Sequence, residues 1–234
     1  MFRLRFDEDG QYSGELTLRQ LTWRNRLATR PSVVSILPSL APERALVERF
    51  ITEVYARAYG ARIRVQYPVL MSIRDRDGKL LAALGFRPAA EQALFLERYL
   101  EQPVESLLVV PRSHIVEIGN LASAGGGTSL FLYAALAAYL HHKGFTWAVA
   151  TGTGTLEQRL VQLGLQPRKL ACAAPLSLQP ADEDWGRYYE ARPSVLAGSI
   201  ETGLRRLQRR LGADYRESRP RLFPRLHYPA QAGT

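Results

Sequence analysis

Cysteine and lysine are the scarce residues of this chain. Cys172 is the one cysteine among 234 residues, so neither an internal disulfide nor a cysteine-based metal cluster can be built from it. A cytoplasmic setting is the simplest expectation. Lysine occurs only at Lys79, Lys143 and Lys169, so the excess of basic over acidic residues, 31 against 22, is nearly all arginine. Arginine is the better fork for phosphates and carboxylates. Either a compositional preference or an acidic or phosphate-bearing partner accounts for it. Long apolar runs are missing as well. Met1 to Asp9 interleaves charged and apolar residues, with no stretch of signal-peptide type. The longest uncharged run, Gly119 to Leu140, is truly apolar only from Leu130, which falls well short of the ~20 residues of a spanning helix. It reads as a buried helix.

Histidine offers no metal site. His141 and His142 close a helix, where a cation suits the dipole, while His114 and His227 have no partners at ligand spacing. No nucleophile elbow is present for a Ser-His-Asp set. Nothing resembles a nucleic-acid recognition helix or an aromatic-interleaved basic motif, so no nucleic-acid partner is expected.

What is present is enough apolar content, 46%, for one good core. Residues 1–40 give a strand near Met1 to Phe6 and otherwise read as an N-terminal extension. After Pro42, Leu46, Phe50, Val54 and Ala58 recur every four residues, with Val47 and Ile51 beside them, up to Gly60, which predicts an amphipathic helix with a glycine stop. Val69 to Ile73 and Leu80 to Phe86 flank Asp75-Arg76-Asp77-Gly78, a β-hairpin signal. A short helix is expected over Glu91 to Leu100, and a buried strand over His114 to Leu121. Gly125, Gly126 and Gly127 then form a loop, and Thr128 or Ser129 caps a helix running to His142 before Gly144. A strand from Phe145 to Ala150, a helix from Leu156 to Leu163 and a strand from Leu170 to Leu178 follow. This is α/β order, and the first crossover is long enough to make its two strands parallel. Near the end, Ile200, Leu204, Leu207 and Leu211 line one helix face and Arg205, Arg206, Arg209 and Arg210 the other. That arginine face suits solvent, an acidic carrier protein or an anionic membrane surface. The expected division is an extension over 1–40, one domain over 41–211 and a basic, mobile or partner-ordered tail over 212–234.

The order of elements reproduces the GNAT acyltransferase fold: a mixed central sheet with two splayed parallel strands, here His114 to Leu121 and Phe145 to Thr151, and flanking helices. Fold-level analogy of this kind licenses a site only as a hypothesis. The joint from Gly119, Leu121 and Ala122 through Gly125, Gly126 and Gly127 to Thr128 and Ser129 leads a strand through a glycine loop to a helix N-terminus. That is an arrangement for the phosphates of an acyl donor, although neither the P-loop nor the dinucleotide fingerprint is matched. Glu117, mid-strand among apolar residues, is the candidate general base, with a buried ion pair to Arg87 as its alternative role. Asn120 and its neighbouring N–H groups are candidates for the oxyanion. Glu97, Thr151 and Thr153 are candidates for the acceptor side, with a solvated helix face and a helix cap as their plainer readings.

Tyr55-Ala56-Arg57-Ala58-Tyr59-Gly60-Ala61, Leu84-Gly85-Phe86-Arg87, Leu94-Phe95-Leu96-Glu97-Arg98-Tyr99-Leu100, Val116-Glu117-Ile118-Gly119-Asn120-Leu121-Ala122 and Trp185-Gly186-Arg187-Tyr188-Tyr189 together resemble the thermostable hemolysin family over roughly residues 43–205. The family name implies a haemolytic phenotype without a mechanism. The same stretches are more distantly similar to acyl-homoserine-lactone synthases, GNAT-fold enzymes whose Gly-x-Arg element is matched by Gly85-Phe86-Arg87. Their Glu-x-Ser-Arg element is matched only in part, Asn120 standing where they have arginine. The resemblance implies an N-acyltransferase with catalytic Glu117, Arg87 and Asn120, taking a fatty acyl group from an acyl carrier protein (acyl-ACP) or coenzyme A (acyl-CoA) thioester to an amino-acid-like or small amine, without a metal. The competing class is a membrane-active cytolysin without enzymatic activity.

Overall fold

In the computed structural model, residues 2–8, 10–19, 30–175 and 184–218 are described. Their strands form one ten-stranded mixed sheet. In chain order the elements are β1 (Phe2–Glu8), β2 (Gln11–Leu18), β3 (Pro31–Pro38), α1 (Arg44–Tyr59), β4 (Val69–Asp75), β5 (Leu80–Pro88), α2 (Val104–Leu108), β6 (Ile115–Ser123), α3 (Ser129–His142), β7 (Trp147–Gly152), α4 (Gly154–Gln162), β8 (Arg168–Cys172), β9 (Ser194–Ser199), α5 (Ile200–Leu211) and β10 (Ala213–Glu217). Across the sheet they run β10-β2-β1-β3-β4-β5-β6-β7-β9-β8.

The sheet does not stop at residue 40 or at residue 212. β1 pairs in parallel with β3, β3 is antiparallel to β4, and β10 closes the far edge against β2. Phe2, Leu4, Phe6, Leu16 and Leu18 enter the same core as α3 and α5, so the first strands belong to the packed body instead of forming an extension. The strand alternation is clean in β1, with Phe2, Leu4 and Phe6 buried and Arg3 and Arg5 exposed, as period-two geometry requires. Residues 219–234 and the end of the strand expected to reach Leu178 lie outside the described residues.

Two apolar layers sandwich the sheet. α3 and α5 cover one face; ten of the fourteen α3 residues are buried, which is why its sequence shows no polar stripe. α1 covers part of the other face. Its buried stripe is Val47, Ile51 and Tyr55 with Arg44, one residue round from the expected one: Leu46 is exposed and Ala58 lies on the surface. Arg44 decides this rotation, because its guanidinium reaches the carbonyls of Tyr67 and Pro68 at 2.6 and 3.1 Å and must face inward. The hairpin β4–β5 forms as expected, with Asp75 Oδ1 accepting the N–H groups of Asp77 and Lys79. The helix expected over Glu91 to Leu100 shortens to a 3₁₀ turn over Phe95–Tyr99. β9 was not anticipated; it inserts between β7 and β8 and is antiparallel to both.

Candidate active site

β6 and β7 are the central parallel pair, bonded from Ile115 opposite Trp147 to Ile118 opposite Ala150. Beyond that point they part: β6 continues against β5 to Ser123 and β7 against β9 to Gly152. A β-bulge in β6 marks the parting. Gly85 pairs with Gly119 but Ala83 pairs with Ala122, so β6 carries an extra residue, and Asn120 takes it up at φ 51°. Asparagine tolerates this left-handed geometry better than most side chains. The bulge also reverses the pleat: Leu121 packs toward α3 and Ala122 toward α1.

A small cavity of about 50 Å³ opens on the α1 face at the gap. Gly119, Asn120 and Thr151 border it, with Arg64, Gln66 and Arg87 among its polar walls and Tyr55, Tyr67, Phe95, Trp185 and Tyr188 as its aromatic ones. Two acceptor atoms of its walls, Asn120 Oδ1 and Thr151 Oγ1, are buried without a hydrogen-bond partner, while Arg87 Nε, also without a hydrogen bond, is ion-paired with Glu117. Such orphans are costly in a native interior and point to a missing partner. The aromatic walls pack on one another, Trp185 lying 5.2 Å from Tyr188 and 5.8 Å from Phe95 between ring centroids.

A second, larger cavity of about 360 Å³ lies on the opposite face between α3, α4, α5, β7 and β9. Leu136, Leu140, Leu160, Leu196 and Leu207 make it apolar. Ile118 lines both cavities and Ala150 the larger one. These are the last paired residues before the strands separate, so each cavity borders the gap from its own face of the sheet.

Glu117 sits behind the small cavity. Its carboxylate lies 3.2 Å from Arg87 Nε and accepts the N–H groups of Phe95 and Leu96 at 3.0 and 2.9 Å. Burial still pushes its pKa up against these partners. With 1% exposure and no part in either cavity wall, it holds Arg87 and the Phe95–Tyr99 turn in place, the alternative that the sequence left open. Glu97, the acceptor-side candidate, lines neither cavity and is likewise engaged within the fold. It caps the turn through the Leu94 N–H and binds the Arg112 guanidinium, which also reaches Glu105 at 2.8 Å. The hydrogen bond from Arg112 holds its pKa below the ordinary carboxylate range.

Thr151 borders the small cavity and Thr153 does not; Thr153 is buried before α4 with its carbonyl accepting the N–H groups of Leu156 and Glu157. Thr128 precedes α3 without capping it. Its hydroxyl lies 3.1 Å from the Leu81 carbonyl and 2.8 Å from that of Gly125, tying the glycine loop to β5. Gly125, Gly126 and Gly127 all have positive φ and are exposed. Ser129 opens α3 half-buried. The arginine face of α5 is partly consumed within the fold: Arg206 bonds the Gly164 carbonyl and Gln166, and Arg210 bonds the Gln162 carbonyl, satisfying the C-terminal end of α4.

The aromatic walls were not singled out from the sequence as site residues. Tyr67 stands in an aperiodic stretch, and the available signal was indirect: glycine in the interiors of two neighbouring strands, at Gly85 and Gly119, marks a close approach. Among the described residues no group of three metal-ligating side chains converges, and no helix is long and apolar enough to cross a membrane.

Solved structures share this GNAT-like fold. TofI in a ternary complex with an inhibitor and MTA superposes with a TM-score of 0.55 at 16% identity, over 75% of this chain and 96% of that one. BjaI, a CoA-dependent acyl-homoserine lactone synthase with SAM and isopentyl-CoA, gives 0.52 at 14% identity, over 76% and 89%. FeeM, an N-acyl amino acid synthase from uncultured soil microbes, gives 0.50 at 14%, over 74% and 93%. No curated protein matches the sequence. The thermostable hemolysin profile matches residues 38–204, from the end of β3 into α5 and across both cavities; the chain belongs to the thermostable hemolysin family.

Proposed function

We propose that the protein is an N-acyltransferase that moves a fatty acyl group from a coenzyme A or acyl carrier protein thioester to an amine seated in the aromatic cavity. The observation that carries this reading is the gap beyond Ile118 and Ala150, bordered on one face by an apolar cavity and on the other by an aromatic one holding two orphaned acceptors. The acyl tail fits the larger cavity, which offers hydrocarbon contact and few polar groups. The thioester carbonyl then lies at the Asn120 bulge, beside the point where the two central strands part. The glycine loop and the start of α3 supply the polar surface for the donor's phosphate-bearing arm.

The acceptor enters as a neutral amine with its N–H groups on Asn120 Oδ1 and Thr151 Oγ1. Its flat or apolar body lies on Trp185 and Tyr188, and Arg64 and Arg87 favour an acceptor that carries a carboxylate, as an amino acid does. Nitrogen attacks the carbonyl carbon, the C–S bond breaks, and the proton released by nitrogen goes to the departing thiolate. The products are an amide and a free thiol. The description of FeeM as an N-acyl amino acid synthase and of BjaI as a CoA-dependent acyl-homoserine lactone synthase supports this choice of chemistry. A haemolytic phenotype follows indirectly if an N-acylated amine with detergent character is released.

The test is mass spectrometry of reactions that pair acyl-CoA and acyl carrier protein thioesters with a pool of amino acids and simple amines. Amine-dependent release of thiol with a matching new amide is expected, and Asn120→Gly, which relieves the backbone while deleting the amide, should abolish it. No amide from any pairing, together with dye leakage from vesicles by the protein alone, would instead establish the cytolysin.

A further inference from the structure

Tyr67 is the side chain around which the small cavity is built, and no part of the reading above assigns it a role. It lies between α1 and β4 and is 8% exposed. Its ring lies against the sheet where Gly85 and Gly119 pair across β5 and β6. A Cβ on Gly85 would fall 2.5 Å from the Tyr67 Cβ, and one on Gly119 would overlap the Tyr67 hydroxyl. Two adjoining strands therefore carry glycine at one level, and the trough they leave is filled by this ring. The Arg87 guanidinium stacks 4.5 Å from the ring centroid, and Arg44 holds the Tyr67 carbonyl at 2.6 Å. Backbone, ring plane and ring face are all fixed. The hydroxyl ends over Gly119, one residue before the bulge at Asn120, where the central strands part.

We infer that the Tyr67 hydroxyl donates a hydrogen bond to the thioester carbonyl oxygen as that oxygen becomes an oxyanion, making Tyr67 a catalytic residue alongside the backbone N–H groups of the bulge. The inference rests on the acyl-transfer reading and adds to it a side-chain donor that is fixed before substrate arrives. As the amine nitrogen bonds to the carbonyl carbon, the carbonyl π electrons move to oxygen, where the Tyr67 O–H donates to them. When the C–S bond breaks, those electrons re-form the C=O bond and the sulfur leaves with its electron pair, taking the proton that nitrogen gives up. Tyr67 keeps its proton throughout. Burial, with the negative Glu117 nearby, pushes the phenol pKa well above its ordinary value, so the group stays an O–H donor at any working pH. A donor preorganised in a water-poor site needs no reorientation during the reaction, the condition under which such bonds contribute most.

The experiment compares the full chain with Tyr67→Phe, which keeps the ring in its glycine trough and deletes only the hydroxyl. The readouts are steady-state kinetics and calorimetric binding of a thioether analogue of the donor that lacks the carbonyl. We expect kcat to fall about a hundredfold, KM for both substrates to stay within about twofold, thioether binding to be unchanged and the pH profile to keep its shape. A kcat within about threefold of the unaltered protein overturns the role of Tyr67 alone. A lowered kcat matched by weakened thioether binding also overturns it, since the hydroxyl would then be acting through packing. Absence of turnover in the unaltered protein overturns acyl transfer itself, and this assignment with it.

Discussion

Arg87 and Glu117 are direct cross-strand partners on β5 and β6, and their side chains meet at 3.2 Å with the carboxylate 1% exposed. The pair is stitched to the Phe95–Tyr99 turn by two backbone N–H groups, so it joins the sheet to the turn that walls the small cavity. Removing one member of a buried pair leaves the other charge uncompensated, which costs about 3–5 kcal/mol. Glu117→Gln also turns an amide NH₂ toward N–H donors. It should lower stability by about that amount in urea unfolding, whereas the double variant Glu117→Leu with Arg87→Met should recover most of the loss. A Glu117→Gln protein of unaltered stability that loses turnover would return Glu117 to the role of base.

The contrast with the sequence reading is instructive at this pair. Glu117 was legible as a buried mid-strand carboxylate, and its pairing with Arg87 was one of two roles left open. What periodicity could not supply was the turn over Phe95–Tyr99, whose N–H groups use up the carboxylate. Helix period identified α5, which buries a regular stripe, while the central strands and α3 stood out as short apolar runs bounded by glycine. β3 and β10 escaped notice because their strand character depends on partners well separated along the chain, and tertiary pairing outweighs local propensity in sheets; β2, the second arm of a hairpin with β1, was missed as well. In the site, Asn120 and Thr151 were legible from their place on the splayed strands. The aromatic walls were not, since Tyr55, Tyr67, Phe95, Trp185 and Tyr188 come from four separate segments that only the fold assembles.

Glycine to alanine in a strand interior ordinarily favours folding by lowering chain entropy. At Gly119 the sign should reverse, because the new Cβ meets the Tyr67 hydroxyl and ring. Overpacking of this kind costs about 1–3 kcal/mol. Gly119→Ala should therefore destabilise the protein, and in the Tyr67→Ala background the same substitution should cost nothing or stabilise. Thermal unfolding of the four proteins in the cycle checks this. Additive effects would mean that the ring does not occupy the trough.

Glu97 carries a pH signature. Its folded pKa is held below the ordinary value by the Arg112 hydrogen bond, so the native state binds its proton less readily than the unfolded chain, for which the value is about 4.3. The stabilisation it supplies is thus complete above that value and lost as pH falls through the folded one. Its partial exposure keeps the effect modest. The stability gap between the unaltered protein and Glu97→Gln should be widest near neutrality and close in acid. Glu117 works with the opposite sign, since a raised folded pKa disfavours the ionised native state and that penalty lifts on acidification. Unfolding free energies of both proteins measured from neutral pH into the acid range would show the closing gap; a gap that widens in acid contradicts the Glu97–Arg112 assignment.

Gly203 separates cavity filling from loss of stability. It lies within α5 on the wall of the apolar cavity, and a Cβ there meets only Leu165 Cδ2, at an ordinary 3.4 Å. Glycine within a helix is about 0.8–1.0 kcal/mol less favourable than alanine, and leucine is close to alanine on that scale. Gly203→Leu should therefore hold or raise the melting temperature while its side chain occupies space proposed for the acyl tail. With acetyl or butyryl thioesters the variant should turn over as the unaltered protein does. With decanoyl or longer donors the rate should drop at least about tenfold, the scale on which pockets discriminate apolar groups. A uniform loss across chain lengths would place the tail elsewhere, and an unchanged long-chain rate would leave the cavity without a part in the reaction.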